Sequence, residues 1–414
     1  MSDALSAEHD AAPVASRHAK AVRDSIYSRN FWLVFGATFA ANAALSVLVL
    51  FPLFIVRLHG SAATIGAVIG TSSLAALLTR PASSVAIATR GRRWTALWFL
   101  VLNAFAMALY IPVQSIWMIY AVTALIGFAN GTARVALFAM IYEILPAGRQ
   151  GEAMATFSLS GQMPALFAPL LGEAIFKRWG FGAFFCSSAV LFMVGAAMVA
   201  MMPDDRARRP QTAARRTTAP QLESSYRALL FDPALLTFWI VTLLFGMAIT
   251  SRATFIAPFA YAQGVRNVGW YFTIYAVFAV IVRASGRTID RVGVERTLAP
   301  SLALLGFGLG LLALTGHAGI LYLAAALGGL GHGFSYPALS APVIKQTQAG
   351  AMARVSTIYT SVWDLSSMAG PCLFGVTAQN LGYGPMFIMA GGLSLAAAIY
   401  FVGAQARIVR RRIA

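Results

Sequence analysis

Acidic side chains are scarce in this sequence: 14 Asp and Glu stand against 31 Lys and Arg, and charged residues of both signs fill only 11% of 414 positions. Soluble domains carry about a quarter of their residues as charges, so a water-exposed surface is not built from so few. Cysteine is nearly missing as well. Cys186 and Cys372 lie in apolar runs at no metal-ligand spacing, which excludes a disulfide framework and reads both as buried small hydrophobes. No strand precedes the Gly-rich stretches, no Walker motif occurs, and no nucleophile, base and orienter fall together. Enzyme chemistry, a cofactor and a metal site are therefore not expected.

What is present is apolar. Hydrophobic residues make up 59% of the chain, and the mean hydropathy is +0.72. Burial inside a water-soluble core does not absorb that much apolar surface, so lipid must surround it. The formal charge of +17 would suit nucleic acid if it formed a patch. It is instead scattered through short loops between apolar runs, so it reports membrane orientation and no nucleic-acid partner is expected.

Runs long enough to cross about 30 Å of hydrocarbon number twelve, at 31–56, 62–80, 94–112, 116–142, 154–176, 181–202, 235–260, 267–284, 297–316, 318–342, 355–379 and 385–405. This predicts an all-α membrane protein of twelve transmembrane helices. Of the 31 Lys and Arg, 25 fall on one side of these spans, and only Arg57, Lys177, Arg178 and Arg266 fall opposite. By the positive-inside rule both termini are cytoplasmic. Arg134 and Arg252 sit within spans and belong to neither side.

The expected layout is a cytoplasmic tail at 1–30, a six-helix bundle at 31–202, a linker at 203–234, a second bundle at 235–405 and a basic tail at 406–414. The polar start lacks an apolar core and a small-residue cleavage site, unlike a signal peptide. Pro203 to Asp232 shows no hydrophobic period and reads as a flexible linker. Most tryptophans, Trp32, Trp94, Trp117, Trp179, Trp239 and Trp270, fall near span ends, as an interfacial belt requires.

The two halves repeat. Gly127 with Gly329, Gly131 with Gly333, Ala88 with Asp290 and Pro169 with Pro371 are all 202 residues apart. Chance coincidences would scatter in offset. A constant offset implies two pseudo-symmetric six-helix bundles related by an axis along the membrane normal.

The charged stretch Gly286, Asp290, Arg291, Gly293, Arg296, after span eight, resembles the cytoplasmic G-x-x-x-D-R-x-G signature of the major facilitator superfamily. Its span-two counterpart keeps Arg80-Pro81 and Gly91-Arg92-Arg93, with Ser84 and Ala88 where that family has glycine and aspartate. Span four, Gly127 to Arg134, is similar to the family's span-four motif, with the arginine seven residues on. Span five, Ala168-Pro169-Leu170-Leu171-Gly172, resembles its antiporter signature, echoed by Gly370-Pro371 and Gly375 in span eleven. The resemblance covers all twelve spans. It implies a secondary transporter in a bacterial-type inner membrane, a cytoplasmic gating motif (Gly286, Asp290, Arg291, Gly293, Arg80, Gly91, Arg92), a span-five motif at Pro169 and Gly172 that favours export, and a cavity lined by spans one, four, seven and ten.

An ionised side chain deep in a bilayer is costly and normally faces a wet cavity or a partner. Arg134 and Arg252 thus suit the cavity, where a guanidinium fork fits a carboxylate or phosphate group; the alternative is neutralisation by nearby acids. Asp364, beside Trp363, is the expected proton carrier with Arg134, or else a buried Asp bonded to Ser366 or Ser367. Asn42, Asn130, His332, Tyr336 and Trp363 complete the expected substrate cavity. Glu173, near the outer end of span five, reads as a solvated carboxylate, and Glu143 as a partner of loop arginines. The partners expected are a small-molecule substrate, protons and the lipid bilayer, with the chain monomeric. Three functions remain in view: proton-coupled export of a small amphipathic or anionic molecule, proton-coupled import of an organic anion, and a non-transporting receptor or scaffold.

Overall fold

The computed structural model describes residues 27–145, 150–203, 222–284, 293–345 and 352–413. Among these the chain is helical and carries no strand. Serines start three of the early helices: Ser28, Ser61 and Ser115 each accept a hydrogen bond from the backbone N–H three residues on. That satisfies a donor which a helix start leaves without an intrahelical partner.

Span one runs Arg29–Val47, a 3-10 turn at Leu48–Leu50, and Phe51–Arg57. Span two is Ala62–Leu78, followed after Thr79 by a second helix, Arg80–Arg90, bent by 48°. Spans three and four are Arg92–Leu109 and Ile116–Ile144. Spans five and six form Gln150–Gln162 and Pro164–Ala200, the latter turning at Gly180, which takes a positive φ of 77°. The second half repeats this with Pro233–Ala262, Gly269–Ala284, Val294–Leu311, Ala318–Lys345, Met352–Leu381 and Tyr383–Ile413 as spans seven to twelve. Among the described residues, seven helical runs are long and apolar enough to cross a membrane by length and composition, and the bent pair in span two makes an eighth. Span eleven, with Arg354 and Asp364 inside it, is too polar to count among them.

Four sequence expectations are corrected. Residues 81–90, which fall between the expected spans two and three, are helical, because Pro81 pre-sets a first turn and nothing breaks the helix until Gly91. The linker holds a helix at Leu222–Leu230, and its C-terminal carbonyl at Leu229 accepts the Trp239 indole N–H at 3.3 Å. Trp239 is thereby buried, outside any interfacial belt, whereas Trp32, Trp117, Trp179 and Trp270 are exposed. Cys186 is exposed on span six, and Cys372 is half-buried.

The 202-residue repeat extends to backbone and packing. Gly91 and Gly293 both take φ near 87° (88° and 86°), and each receives a threonine hydroxyl on its carbonyl at 2.7 Å, from Thr95 and Thr297. Gly180 and Gly382 form a second positive-φ pair. Gly127 presses on the Ser72 carbonyl and Gly329 on the Tyr275 carbonyl, so closely that a Cβ would lie 2.1 and 2.4 Å away. Small residues at such crossings let membrane helices approach to backbone distance.

The halves meet along two seams that the repeat interchanges. Span two packs on span eleven, with Gly66 against the Pro371 carbonyl, Gly375 against Ala62, and Ser61 donating to Gln379 at 2.8 Å. Span five packs on span eight, where Thr273 donates to the Leu166 carbonyl at 2.8 Å.

Candidate functional site

The break in span two aims one side chain across the first seam. Thr79 closes the first helix and Arg80 opens the next. Its guanidinium donates to Asp364 Oδ2 through Nε at 2.9 Å and also through Nη2, while Nη1 bonds the Thr360 hydroxyl and lies 3.5 Å from the Thr357 carbonyl. Arg134 on span four reaches the other oxygen, Nη2 to Oδ1, at 3.5 Å. One carboxylate on the second half thus stands between two arginines of the first. Its side chain is 11% exposed, against 21% for Arg80 and 52% for Arg134. A nearly buried acid so placed offsets its desolvation only while both oxygens are satisfied. Ser366, one of the two serines named as an alternative partner, instead donates its hydroxyl to the Val362 carbonyl of its own helix at 2.7 Å.

Asp364 and Arg134 are thereby brought together, as the sequence suggests. Arg80, expected in the cytoplasmic gating motif, lies in this cluster. Its partner lies 284 residues away, which no local pattern could reveal.

Beside Asp364 stands an aromatic group built from spans seven, ten and eleven. Phe245, Trp363, Tyr336 and His332 form a closed circuit with ring-centre spacings of 5.7, 5.8, 6.3 and 5.8 Å. Tyr275 of span eight adds a fifth ring, 5.6 Å from His332. Gly246 permits this, because a Cβ there would meet Ser366 at 2.6 Å and the Trp363 ring at 3.6 Å. Tyr336 is 38% exposed, so the circuit has an open side. His332, Tyr336 and Trp363, expected in the substrate cavity, thus stand together. Phe245 and Tyr275 were missed, although aromatic residues facing one another are among the strongest packing units.

Other expected residues stand elsewhere. The guanidinium of Arg252 stacks 3.8 Å over the Tyr275 ring and 5.7 Å from Phe272, so it does not face Arg134 as a bare opposing cation. Its Nε is buried without a hydrogen-bond partner among the described residues, and cation–π attraction replaces the expected acid. Asn42 turns back on its own helix, Nδ2 to the Thr38 carbonyl at 2.8 Å. Asn130 is half-buried on span four.

Around the expected gating motif, Arg92 pairs with Glu143 inside the first half, and Arg93 donates to the Ala200 carbonyl at 2.7 Å. Gly91 and Gly293 start spans three and nine. Gly286, Asp290 and Arg291 lie outside the described residues. In the span-five motif, Pro169 is buried and Gly172 seats span five on Val47, with a Cβ contact of 3.0 Å. Glu173 is not solvated: it is 4% exposed and fully engaged at the second seam.

Comparison with known proteins is consistent with this geometry. A family model described as Major Facilitator Superfamily matches residues 31–284 and 264–410. The chain is 24% identical over 388 residues to "Multidrug resistance protein MdtG" of Enterobacter lignolyticus, covering 90% of this chain and 91% of that one. It is 23% identical over 365 residues to the "Staphylopine export protein" of Staphylococcus aureus, covering 86% and 90%. The crystal structure of the nucleoside transporter NupG superposes with a TM-score of 0.73 at 14% identity, covering 91% of this chain and 98% of that one.

Proposed function

The chain belongs to the Major Facilitator Superfamily, and from that premise we propose that it exports a small amphipathic molecule in exchange for protons, one six-helix half rocking against the other. It is a multi-pass membrane transporter and not an enzyme. The observation that carries the proton-coupled reading is the sharing of Asp364 between Arg80 and Arg134 across the seam.

With Asp364 ionised, Arg80 ties span two to span eleven. A proton on the carboxyl removes the charge that holds both guanidiniums, so the tie weakens and the halves are free to re-pack. A substrate that donates a hydrogen bond or a positive charge to Asp364 competes with that proton, and competition for one site is what exchange requires. The circuit of Phe245, His332, Tyr336 and Trp363 supplies the apolar and stacking surface for the rest of the molecule. The span-five motif and the names of the two relatives, a multidrug resistance protein and an export protein, support the outward direction.

A second reading rests on Arg134, whose side chain is half exposed and only loosely held at 3.5 Å. A carboxylate or phosphate group on the substrate displaces Asp364 from Arg134 most readily when Asp364 is neutral. Such an anion travels with the proton rather than against it. The two readings therefore separate by stoichiometric direction: an imposed pH gradient in proteoliposomes drives an exchanged substrate toward the acidic side and a co-transported anion away from it. The excess of basic residues in loops on the side of the termini supports a bacterial-type inner-membrane orientation with both ends cytoplasmic, and the functional unit is taken to be a monomer.

A further inference from the structure

We propose that Glu173 is the positioning residue that holds the transporter shut at the end opposite the chain termini, by acting as a charged latch across the second seam. This goes beyond the coupling at Asp364 and uses none of its residues. Glu173 belongs to span five, in the first half, yet its carboxylate caps a helix of the second half: Oε1 accepts the Val268 N–H at 3.2 Å and Oε2 the Gly269 N–H at 2.5 Å, at the start of span eight. The Tyr261 hydroxyl of span seven donates to Oε1 at 3.1 Å. Lys177, one turn further along span five, stands 2.9 Å from Oε1 and also bonds the Arg266 carbonyl and, at 3.0 Å, Asn267 Oδ1.

The carboxylate therefore satisfies backbone donors that span eight leaves open, where the helix dipole favours negative charge. These bonds are charge-assisted and almost dry, the setting in which hydrogen bonds are strongest. Gly269 is required for the approach, since a Cβ there would sit 2.9 Å from Glu173 Oε2 and 3.0 Å from Leu170 Cα. Every one of these contacts except the pairing with Lys177 crosses between halves, so each must break when the halves part at this end.

The internal repeat sharpens the assignment. Shifting by 202 residues carries Glu173 to Gly375 and Lys177 to Gln379. Those residues occupy the other seam, where Gly375 packs on Ala62 and Gln379 takes the Ser61 hydroxyl. Two seams of common origin thus close differently at this end, one through neutral contacts and one through a buried carboxylate. At this end the seam closed by the carboxylate is the one whose release costs more, and it sets the balance between the shut and open forms here.

The test is the distance distribution between spin labels at Arg178→Cys and Gln263→Cys, both exposed positions flanking this seam, with Cys186 and Cys372 replaced by alanine and no substrate added. The unsubstituted latch gives a predominantly short distance. Glu173→Gln is expected to raise the ratio of long to short distances about tenfold or more, in line with the strength of charged hydrogen bonds. Lys177→Gln, which leaves the backbone bonds intact, is expected to raise it less, and Gln379→Ala, at the uncharged end of the other seam, is expected to leave it unchanged. An unchanged distribution in Glu173→Gln overturns the latch, as does an equal shift from Gln379→Ala. Should Glu173→Gln fail to fold, Lys177→Gln and Tyr261→Phe decide alone, and no shift in either overturns it. Because no transport is measured, the outcome is independent of whether protons drive the cycle.

Discussion

Arg80 on span two and Asp364 on span eleven form an ion pair across the seam between the two halves, with two guanidinium nitrogens on one carboxylate oxygen. Arg134 shares the same acid at a longer distance and with half its side chain exposed. The two arginines therefore have different work, one tying the halves and the other facing the space between them.

Substituting them separates these tasks. Arg80→Ala leaves a nearly buried carboxylate with one distant partner, and a loss of about 3 kcal/mol in stability is expected, the low end for breaking a buried pair. Arg134→Ala is expected to cost under about 1 kcal/mol, as for an exposed pair. Thermal unfolding in detergent checks both. If Arg80→Ala melts like the parent, the seam does not depend on this pair.

The helix crossings at Gly127 and Gly329 are equally tight in both halves. A methyl group at either position meets a backbone carbonyl at 2.1 or 2.4 Å, so Gly127→Ala and Gly329→Ala should each destabilise by about 1–3 kcal/mol through overpacking. Gly392→Ala, where nothing lies within 4 Å, serves as the control and should be neutral. Comparable melting temperatures for all three would refute the crossing geometry.

Gly91 and Gly293 begin spans three and nine at positive φ with extended ψ (88°, 161° and 86°, 153°), a region essentially confined to glycine. Alanine there is expected to cost about 1–3 kcal/mol, and by the repeat the two costs should match. A difference larger than about 1 kcal/mol in unfolding measurements would show that the two halves are not equivalent at these turns.

The aromatic circuit should govern affinity rather than the driving force. Trp363→Ala and Tyr336→Ala remove stacking surface worth about 0.5–1.5 kcal/mol beyond area burial. The expected result is a several-fold higher KM for any transported compound with an unchanged response to an imposed pH gradient. A changed proton response with unaltered KM would move these rings from the substrate site to the coupling machinery.

Much of the fold was legible because a bilayer demands long apolar runs, and the 202-residue repeat fixed how they group. The helix at Leu222–Leu230 has a signal in the sequence: Leu222, Tyr226, Leu229 and Leu230 fall at helical spacing within an otherwise charged stretch. Span eleven was found by length although its polar side chains blur its hydropathy. The site was half legible. An acid and an arginine inside spans announce themselves by their cost, but which groups meet depends on the packing of two halves. Arg80 sits at a span end, where a charge is unremarkable until the bend at Thr79 aims it inward. Glu173 sits at a span end too, and only the start of span eight, 95 residues on, explains its burial.

The central claim is that Asp364 carries the proton that drives transport. The direct measurement compares gradient-driven flux with substrate exchange at equal pH, in proteoliposomes of the unsubstituted protein and of Asp364→Asn, against a panel of amphipathic cations and organic carboxylates. The expected result is gradient-driven flux that is lost in Asp364→Asn while exchange persists. Gradient-driven flux of the same size in both proteins would contradict the claim.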